Sequence, residues 1–423
     1  MTTAVRARHR AQRNPSLAAR LANGRAPQAL LVGGVSSAGN FLLALTVTRL
    51  ETVDGVGRFA VAFSYYVLVS GLARAMVTDS VLASGADAAA SAGASRRVVS
   101  VAVLAGIGVA TCGLLTGSGY LLVVGVALPG LVLYDFTKAI SLGVGRPRLA
   151  AVQETCWAVA TVVAAVPGLL GLVSPLVVFA GWAAGGALFG LVVARRRGHR
   201  VTPGWPADRT ESRLAAGFGV QFLVTTGSAQ LALTAVAGLA GTAVVGALSA
   251  GRTILGPVNL VVATASTLLL PYLARTRAAT RAVRTRAAIR LTGLVAAGAA
   301  PLALAVALLP DRVGGALLGA NWAVARVLLP ALAVESLLAI PAAVGYAGLR
   351  IEGASGRAVL AGGLLGVLRV PVVVAGAVFL GAAGAAGALV AMALLSAVVW
   401  GRSYHLLLRR HDPGRTTLAA RPA

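Results

Sequence analysis

The segment RRRGHRVTPGWPADRTESR, residues 195–213, divides this sequence into two long apolar territories. It contains six arginines, two prolines and two acidic residues, and the chain on either side of it is rich in Ala, Val, Leu and Gly. Each side contains about six apolar runs of the length, about 20 residues, that a helix needs to span a bilayer. A polar segment between two comparable membrane halves, here called the hinge, is typical of a transporter built from two lobes.

The composition indicates that the chain is an integral membrane protein. Hydrophobic residues make up 58% of it, charged residues only 12%, and the mean hydropathy is +0.85. Soluble domains carry about 25% charged residues, so this chain lacks the polar residues that a water-facing surface requires. The formal charge of +25 would suggest nucleic acid in a soluble protein, but here the arginines lie between apolar runs. We therefore expect an all-α polytopic membrane protein that binds no nucleic acid.

The apolar runs predict about twelve transmembrane helices, six on each side of the hinge. They cover residues 27–47, 58–84, 98–116, 120–144, 149–170, 175–194, 214–239, 243–273, 287–309, 323–346, 358–379 and 382–400. Their many small residues let helices approach closely in lipid, and the prolines inside them permit kinks. A bundle that moves between two states uses both features.

The distribution of basic residues orients these helices. With the amino terminus in the cytoplasm, 29 of the 37 Lys and Arg residues fall in cytoplasmic segments and four fall outside. The last four, Arg74, Lys138, Arg252 and Arg369, lie within predicted helices. This bias follows the positive-inside rule. It predicts twelve spans, six on each side of the hinge, with both termini in the cytoplasm.

The predicted organisation has five parts. They are a basic cytoplasmic arm (1–26), an N-terminal lobe (27–194), the cytoplasmic hinge (195–213), a C-terminal lobe (214–400) and a basic cytoplasmic tail (401–423). The hinge combines charge and proline with no apolar periodicity. We therefore expect a tether whose residues contact little and that tolerates an insertion near Pro206.

The cations inside predicted helices are candidate substrate-binding residues, because a charge at bilayer depth costs at least about 2.5 kcal/mol. Arg74 is expected in the inner half of its span, Arg252 in the outer half and Arg369 near the midplane. Arginine stays protonated and binds phosphate through two parallel hydrogen bonds, so these cations favour an anionic substrate. Arg74 has no acidic residue three or four positions away, which makes it the foremost candidate.

The acidic residues offer an alternative in which the charges only pair with one another. Glu335 lies at a depth similar to that of Arg369, so these two residues form either an ion pair or part of the cavity. Asp135 and Lys138 are spaced to neutralise each other on one helix, and Lys138 is also close enough to the inner interface to extend its amine to it. Glu154 is either an interfacial residue or a proton carrier in energy coupling.

Other kinds of site find little support in the sequence. Cys112 and Cys156 lie in apolar runs, and the four histidines lie outside the spans or at their ends, so we expect no metal and no cofactor. An enzyme would need acidic or histidine groups facing an aqueous loop, and the one sizeable outer loop offers Asp311 and Arg312 alone. Trp400 lies near a helix end, where an aromatic belt accounts for it.

Four stretches resemble a known family. They are SSAGNFLLALTVTRLETVDGVGRFAVAFSYYVLVSGLARA (36–75), GALSAGRTILGPVNLVVATASTLLLPYLAR (246–275), LPDRVGGALLGANWAVARVLLPALA (309–333) and GLRIEGASGRA (348–358). They are similar to the first hairpin, the eighth span and two later loops of the polysaccharide-transporter branch of the multidrug/oligosaccharidyl-lipid/polysaccharide exporter superfamily. Members of this branch are flippases for lipid-linked sugars.

The resemblance implies two six-helix lobes around a central cavity that opens to alternate sides of the membrane. It implies alternating access of a central cavity and transfer of polyprenyl-phosphate-linked or pyrophosphate-linked oligosaccharide to the outer leaflet of a bacterial cell membrane. Its expected partners are this lipid-linked glycan, membrane lipids and glycan-synthesis enzymes. Drug-exporting relatives often carry a coupling carboxylate in the first span, where this chain has Asn40, and lipid II flippases have two more spans. Another twelve-helix secondary transporter, such as a drug exporter, remains the alternative.

The predicted topology can be tested directly by labelling single cysteines from either side of the membrane. Cysteines at Gly198, Thr280 and Ser355 should react from the cytoplasm, and those at Asp54 and Gly315 from outside. Labelling of position 280 from the exterior would contradict the two-lobe arrangement, because its loop carries six arginines.

Overall fold

The computed structural model describes residues 25–83, 88–277 and 279–410, so nearly all of the predicted arm and the end of the predicted tail lie outside the described residues. Within these ranges the chain forms helices and no β-strand. The helices are α1 (Arg25–Leu50), α2 (Val53–Ala73), α3 (Asp79–Ala83), α4 (Ala88–Thr116), α5 (Gly119–Gly143), α6 (Pro147–Leu169), α7 (Pro175–Arg196), α8 (Arg209–Phe222), α9 (Ser228–Leu239), α10 (Thr242–Ile254), α11 (Gly256–Ala274), α12 (Arg281–Ala307), α13 (Asp311–Leu318), α14 (Trp322–Ile351) and α15 (Ser355–Arg410). Two π-helical turns, Arg74–Thr78 and Leu223–Gly227, join α2 to α3 and α8 to α9, and a 3-10 turn, Gly319–Asn321, joins α13 to α14.

The described helices confirm a polytopic membrane protein. Ten helical stretches are long and apolar enough to cross a membrane, or eleven if α10 and the first part of α11, which meet at 65°, form one broken span. The longest is α15, in which Gly381 has φ 61° and ψ −147°, a backbone conformation that favours glycine. A Cβ at Gly376 would lie 2.5 Å from the carbonyl oxygen of Gly384, whereas eight residues of straight helix span about 12 Å. The chain therefore reverses direction within α15.

Local sequence determines where several helices begin. The Thr52 hydroxyl accepts a hydrogen bond from Gly55 N at 3.2 Å, and Ser118 accepts one from Leu121 N at 3.4 Å. The Asp208 carboxylate accepts one from Glu211 N at 2.7 Å. Each side chain satisfies one of the amide groups that the first turn of a helix leaves without a partner.

The chain folds back on itself mainly within each half of the sequence. In the first half α5 packs against α4 and α7, and α1 packs against α6. In the second half α14 packs against α10, α12 and α15. The main contact between the halves joins α2 to α10.

This contact between the halves depends on two glycines. A Cβ at Gly57 would lie 1.9 Å from the carbonyl oxygen of Thr242, and one at Gly246 would lie 1.8 Å from that of Val53. The backbones of α2 and α10 therefore touch without intervening side chains. Asn321, which is 1% exposed, fastens the same end of the bundle by donating hydrogen bonds from Nδ2 to the carbonyl oxygens of Thr48 (2.6 Å) and Glu51 (2.8 Å).

The expectation that the hinge contacts little is wrong. Gly204 N donates to the Ser100 hydroxyl at 2.7 Å, and that hydroxyl donates back to the Gly204 carbonyl at 3.1 Å. Ser95 Oγ donates to the Arg200 carbonyl at 3.0 Å, so the hinge is fixed to the first part of α4. His199, also in the hinge, has a lowered pKa. Burial is the larger cause, and the nearby positive charge of Arg197 is the smaller one. The hinge is polar and therefore shows no apolar periodicity in the sequence. Its backbone is held by hydrogen bonds to serine side chains on α4, and periodicity does not reveal contacts of this kind.

Replacing Gly57 with alanine should destabilise the conformation described here. The new methyl group would meet the backbone of α10, and overpacking of this kind typically costs about 1–3 kcal/mol. Thermal unfolding of the purified protein in detergent measures the effect. Gly238→Ala in α9 is the matched control, because a Cβ there meets open space. Equal melting temperatures for the two variants would contradict the close contact.

Candidate functional site

A cavity of about 900 Å³ lies in the second half of the chain. It is bounded by α8, α10, α11, α14, α15 and the π-helical turn Leu223–Gly227. Its charged and polar lining residues are Gln221, Thr225, Thr226, Arg252, Asn259, Glu335, Ser336, Arg350, Arg369 and Ser396. Among the described lining residues three are arginines and one is acidic. The cavity therefore presents a net positive surface within an apolar bundle.

The structure brings Arg252, Glu335 and Arg369 together in this cavity. Arg252 Nη2 lies 2.8 Å from Glu335 Oε1, and their side chains are 38% and 22% exposed. Arg369 lines the same cavity. These three charged residues, all within predicted helices, thus face one cavity.

Depth along the spans left two alternatives for Glu335 and Arg369, an ion pair or a shared position in the cavity. Glu335 pairs with Arg252 instead of Arg369, and both Glu335 and Arg369 line the cavity. Depth measures position along a helix axis and carries no information on which helices are neighbours. Because α10 packs against α14, Arg252 reaches the carboxylate, and no ion pair of Arg369 occurs in the part of the chain that the structure describes.

A second cavity, of about 580 Å³, lies between the halves and adjoins the first. Arg252 and Asn259 line both cavities. The first half contributes residues of α1 and α2, including Asn40 and Ser64, and the second half contributes Gln230 on α9. Arg252 therefore lies where the space between the halves meets the cationic cavity.

A separate charged network lies in the first half, between α5 and α6. Lys138 Nζ is 3.4 Å from Asp135 Oδ1 and 3.2 Å from Glu154 Oε2. Tyr66 donates a hydrogen bond to Asp135 and Tyr134 donates one to Glu154, each at 3.0 Å. The Glu154 side chain is only 3% exposed and that of Lys138 19%. Lys138 thus points into the bundle instead of extending to the interface, because two carboxylates there neutralise it.

Arg74 lies apart from the other two candidate cations. It lines a cavity of about 520 Å³ together with Asp135 and Lys138. Its Nε is 3.2 Å from Asp79 Oδ1, and both side chains are more than half exposed. The partner is five residues away because the backbone from Arg74 to Thr78 is π-helical, with the amide of Asp79 bonded to the carbonyl of Arg74. Spacing rules for an α-helix do not anticipate this pair.

Sequence reasoning missed three residues at one end of the cationic cavity. Tyr346, Arg350 and Trp400 line it, with the Arg350 guanidinium 5.8 Å from the Tyr346 ring centre and the two aromatic rings 5.1 Å apart. The spacing of Tyr346 and Arg350 by four residues was the available signal. Trp400 was assigned to the aromatic belt because its sequence position near a helix end does not show that α15 turns it inward.

Comparison with known proteins identifies the fold. No family model and no curated protein matches the chain. A structure described as "Lipid II flippase MurJ, inward closed conformation" matches with a TM-score of 0.69 and 9% identity over 89% of this chain and 88% of that one. Inward-facing and outward-facing structures of a multidrug resistance MATE family transporter of the MOP superfamily match with TM-scores of 0.56 and 0.55, each with 14% identity over 91% of this chain and 96% and 95% of theirs.

These likenesses show that the chain has the fold of MOP-superfamily transporters, the superfamily that the sequence resemblance indicated. The matched structures are described as a flippase and a multidrug resistance transporter. The span count had made the lipid II branch the less favoured one, yet a lipid II flippase shares the fold. The fold alone therefore does not distinguish the branches, and the residues of the cavities must do so.

The network around Lys138 should be essential for stability. Lys138→Met would leave Asp135 and Glu154 without their cation, and removing one partner of a buried charge pair typically costs about 3–5 kcal/mol. We expect loss of folded protein, measured by size-exclusion chromatography and thermal unfolding. Arg74→Met is the matched control, because exposed ion pairs contribute about 1 kcal/mol or less. A Lys138→Met protein as stable as this control would contradict a structural role.

Proposed function

We propose that the chain is an alternating-access flippase for polyprenyl-phosphate-linked or pyrophosphate-linked oligosaccharide. It moves this lipid from the inner to the outer leaflet of a bacterial cell membrane, where the glycan is used for cell-surface polysaccharide. The observation that carries the proposal is the cationic cavity, in which Arg252, Arg350 and Arg369 face a single acidic residue, Glu335, among the described lining residues.

The charge of this cavity favours an anionic substrate. A guanidinium remains protonated under all physiological conditions, and its desolvation in the membrane must be offset by an anion. One carboxylate offsets one of the three arginines. A phosphate or pyrophosphate group supplies the missing negative charge and accepts hydrogen bonds from more than one guanidinium.

The aromatic residues of the cavity suit the sugar part of the same substrate. Tyr346 and Trp400 form an edge-to-face pair at the end where Arg350 lies, which the charge pattern assigns to the cytoplasm. Aromatic rings with polar edges provide apolar faces and hydrogen-bonding groups together. We propose that they contact the glycan while Arg252 and Arg369 bind the phosphate. Arg74, in its separate cavity, serves as a further phosphate contact near the inner leaflet.

The proposed architecture is twelve spans in two six-helix lobes, with both termini in the cytoplasm. The chain reversal at Gly381 and the 65° break between α10 and α11 support this number. The contacts of Gly57, Gly246 and Asn321 then close the outer end of the central space. Opening to the outside requires α2 and α10 to separate there. Their backbone contact contains no ion pair to break, so separation is feasible without exposing a buried charge.

A drug exporter is the second candidate, favoured by the shared fold with multidrug transporters and by acidic groups that a cationic drug would bind. Glu335 and Asp135 each line a cavity. The two functions predict opposite effects of the cavity arginines. A cation exporter should tolerate or benefit from their loss, whereas a flippase for an anionic lipid should not.

The decisive experiment deletes the gene and identifies the lipid-linked glycan that accumulates in the inner leaflet. Complementation with Arg369→Ala or Arg74→Ala should fail to restore export at normal protein abundance, since neither change breaks a buried ion pair. The lysine variants should restore part of it, because charge remains but the two-pronged geometry is lost.

Abundance and export must be measured in the same cells. If the Arg369→Ala and Arg74→Ala variants are both abundant and fully active, the proposed phosphate contacts are contradicted. Unchanged glycan export together with new drug sensitivity in the deletion strain would favour the exporter.

A further inference from the structure

Glu335 is the one acidic side chain among the described residues that line the cationic cavity. Its carboxylate accepts a hydrogen bond from Arg252, from Nη2 to Oε1, at 2.8 Å. Among the described residues this is the one hydrogen bond between the two side chains. The group therefore binds Arg252 in one-point fashion, weaker than the two-point contact that a guanidinium can make with a phosphate.

The position of this pair leaves it accessible to a ligand. The side chains of Arg252 and Glu335 are 38% and 22% exposed, and both face the cavity. The neighbouring Ser336 hydroxyl donates to Asn259 Oδ1 at 3.1 Å and ties α14 to α11. The Glu335 side chain can therefore change its partner while the backbone that carries it stays in place.

Glu154, in the network around Lys138, is in a different environment from Glu335. Glu154 is 3% exposed and contacts both Lys138 and Tyr134, so its carboxylate is enclosed. Removing it from Lys138 would leave a buried cation next to one remaining acid. Glu335 has no such enclosure, and its cation, Arg252, also faces the space between the halves. Of these two networks, the Arg252–Glu335 pair is thus the one that can exchange partners.

We propose that Glu335 is an internal counter-ion: it occupies Arg252 when the cavity is empty and is displaced by the phosphate of an anionic ligand. The proposal rests on the anionic substrate class of the proposed function and adds to it the residue that sets affinity and release. An unpaired arginine within the membrane is costly, so an empty cavity needs a counter-charge. Glu335 supplies it and competes with the ligand for the same guanidinium.

Arg369 completes the mechanism. It lines the same cavity as Glu335 and Arg252 and has no ion pair among the described residues. An entering phosphate meets Arg369 first and then replaces Glu335 at Arg252. On release the carboxylate returns to Arg252, so this arginine is compensated both in the empty and in the occupied cavity. Without Glu335 the ligand binds more tightly and leaves more slowly.

The test measures binding of farnesyl pyrophosphate and of inorganic pyrophosphate to the purified full-length protein in lipid nanodiscs. Glu335→Gln should bind both probes about tenfold more tightly than the unsubstituted protein, the change that about 1.4 kcal/mol of relieved competition produces. Asp311→Asn is the matched control. Asp311 pairs with Arg326 at 2.7 Å, and neither residue lines the cavity. This substitution also removes one carboxylate from an arginine, and it should leave the affinity for both probes unchanged.

A double substitution separates competition from general electrostatics. In an Arg252→Ala background the gain from Glu335→Gln should disappear, because the contested guanidinium is absent. Glu335→Ala should reproduce the gain, which keeps the test decisive if the glutamine variant folds poorly. Export in cells should become slower in both variants as release slows.

The possible results separate the counter-ion role of Glu335 from the anionic substrate class on which it rests. If the unsubstituted protein binds pyrophosphate and Glu335→Gln binds it equally or less tightly, the counter-ion role is overturned and the anionic substrate stands. The same holds if the gain persists without Arg252, since any loss of negative charge would then suffice. If neither protein nor variant binds either probe, the proposed function and the counter-ion role are both overturned.

Discussion

A charged side chain inside a membrane has no water around it, and the charges within the predicted spans of this bundle are arranged around that constraint. An isolated charge at bilayer depth costs at least about 2.5 kcal/mol. Lys138 accordingly lies between two carboxylates, those of Asp135 and Glu154. Where a charge lacks a full complement of partners, as in the cavity of Arg252 and Arg369, a ligand is the natural source of the missing charge.

The two charged networks differ in how far their charges are enclosed. In the network of Asp135, Lys138 and Glu154, Tyr66 donates to the Asp135 oxygen that Lys138 does not contact, and Tyr134 donates to Glu154 Oε2, which Lys138 also contacts. This pairing fixes the packing of α5 against α6. The pair of Arg252 and Glu335 is half open and joined at one point. It is suited to binding and release, because a partner that is held loosely can be exchanged.

The closest contacts between the halves are made by backbone and apolar atoms, next to a hydrogen bond from the Thr242 hydroxyl to the Asp54 carboxylate. Gly57 and Gly246 bring two helices together through backbone atoms at one end, and Gly71 receives the ring of Phe222 toward the other. Van der Waals contacts of this kind are favourable in lipid but carry no desolvation penalty when they separate. Movement of one half against the other would therefore leave the paired charges within each half intact.

The sequence by itself determined the class of the protein, its helical spans and the residues with unusual charge. Apolar runs of membrane length leave the backbone no alternative to helix, because no water is present to satisfy its polar groups. Arg74, Arg252, Arg369, Asp135, Lys138, Glu154 and Glu335 stood out for the same reason. These conclusions need composition and position along a helix, both of which are local properties.

Only the tertiary structure decided which of these charges meet. Glu335 pairs with Arg252 because α10 packs against α14, and Arg74 reaches Asp79 because the helix widens to a π-turn. The hinge, polar and without periodicity, is fixed by serines on α4. Trp400 faces a cavity because α15 reverses at Gly381. Each depends on the relative placement of helices distant in sequence, which hydropathy and spacing along one helix do not encode.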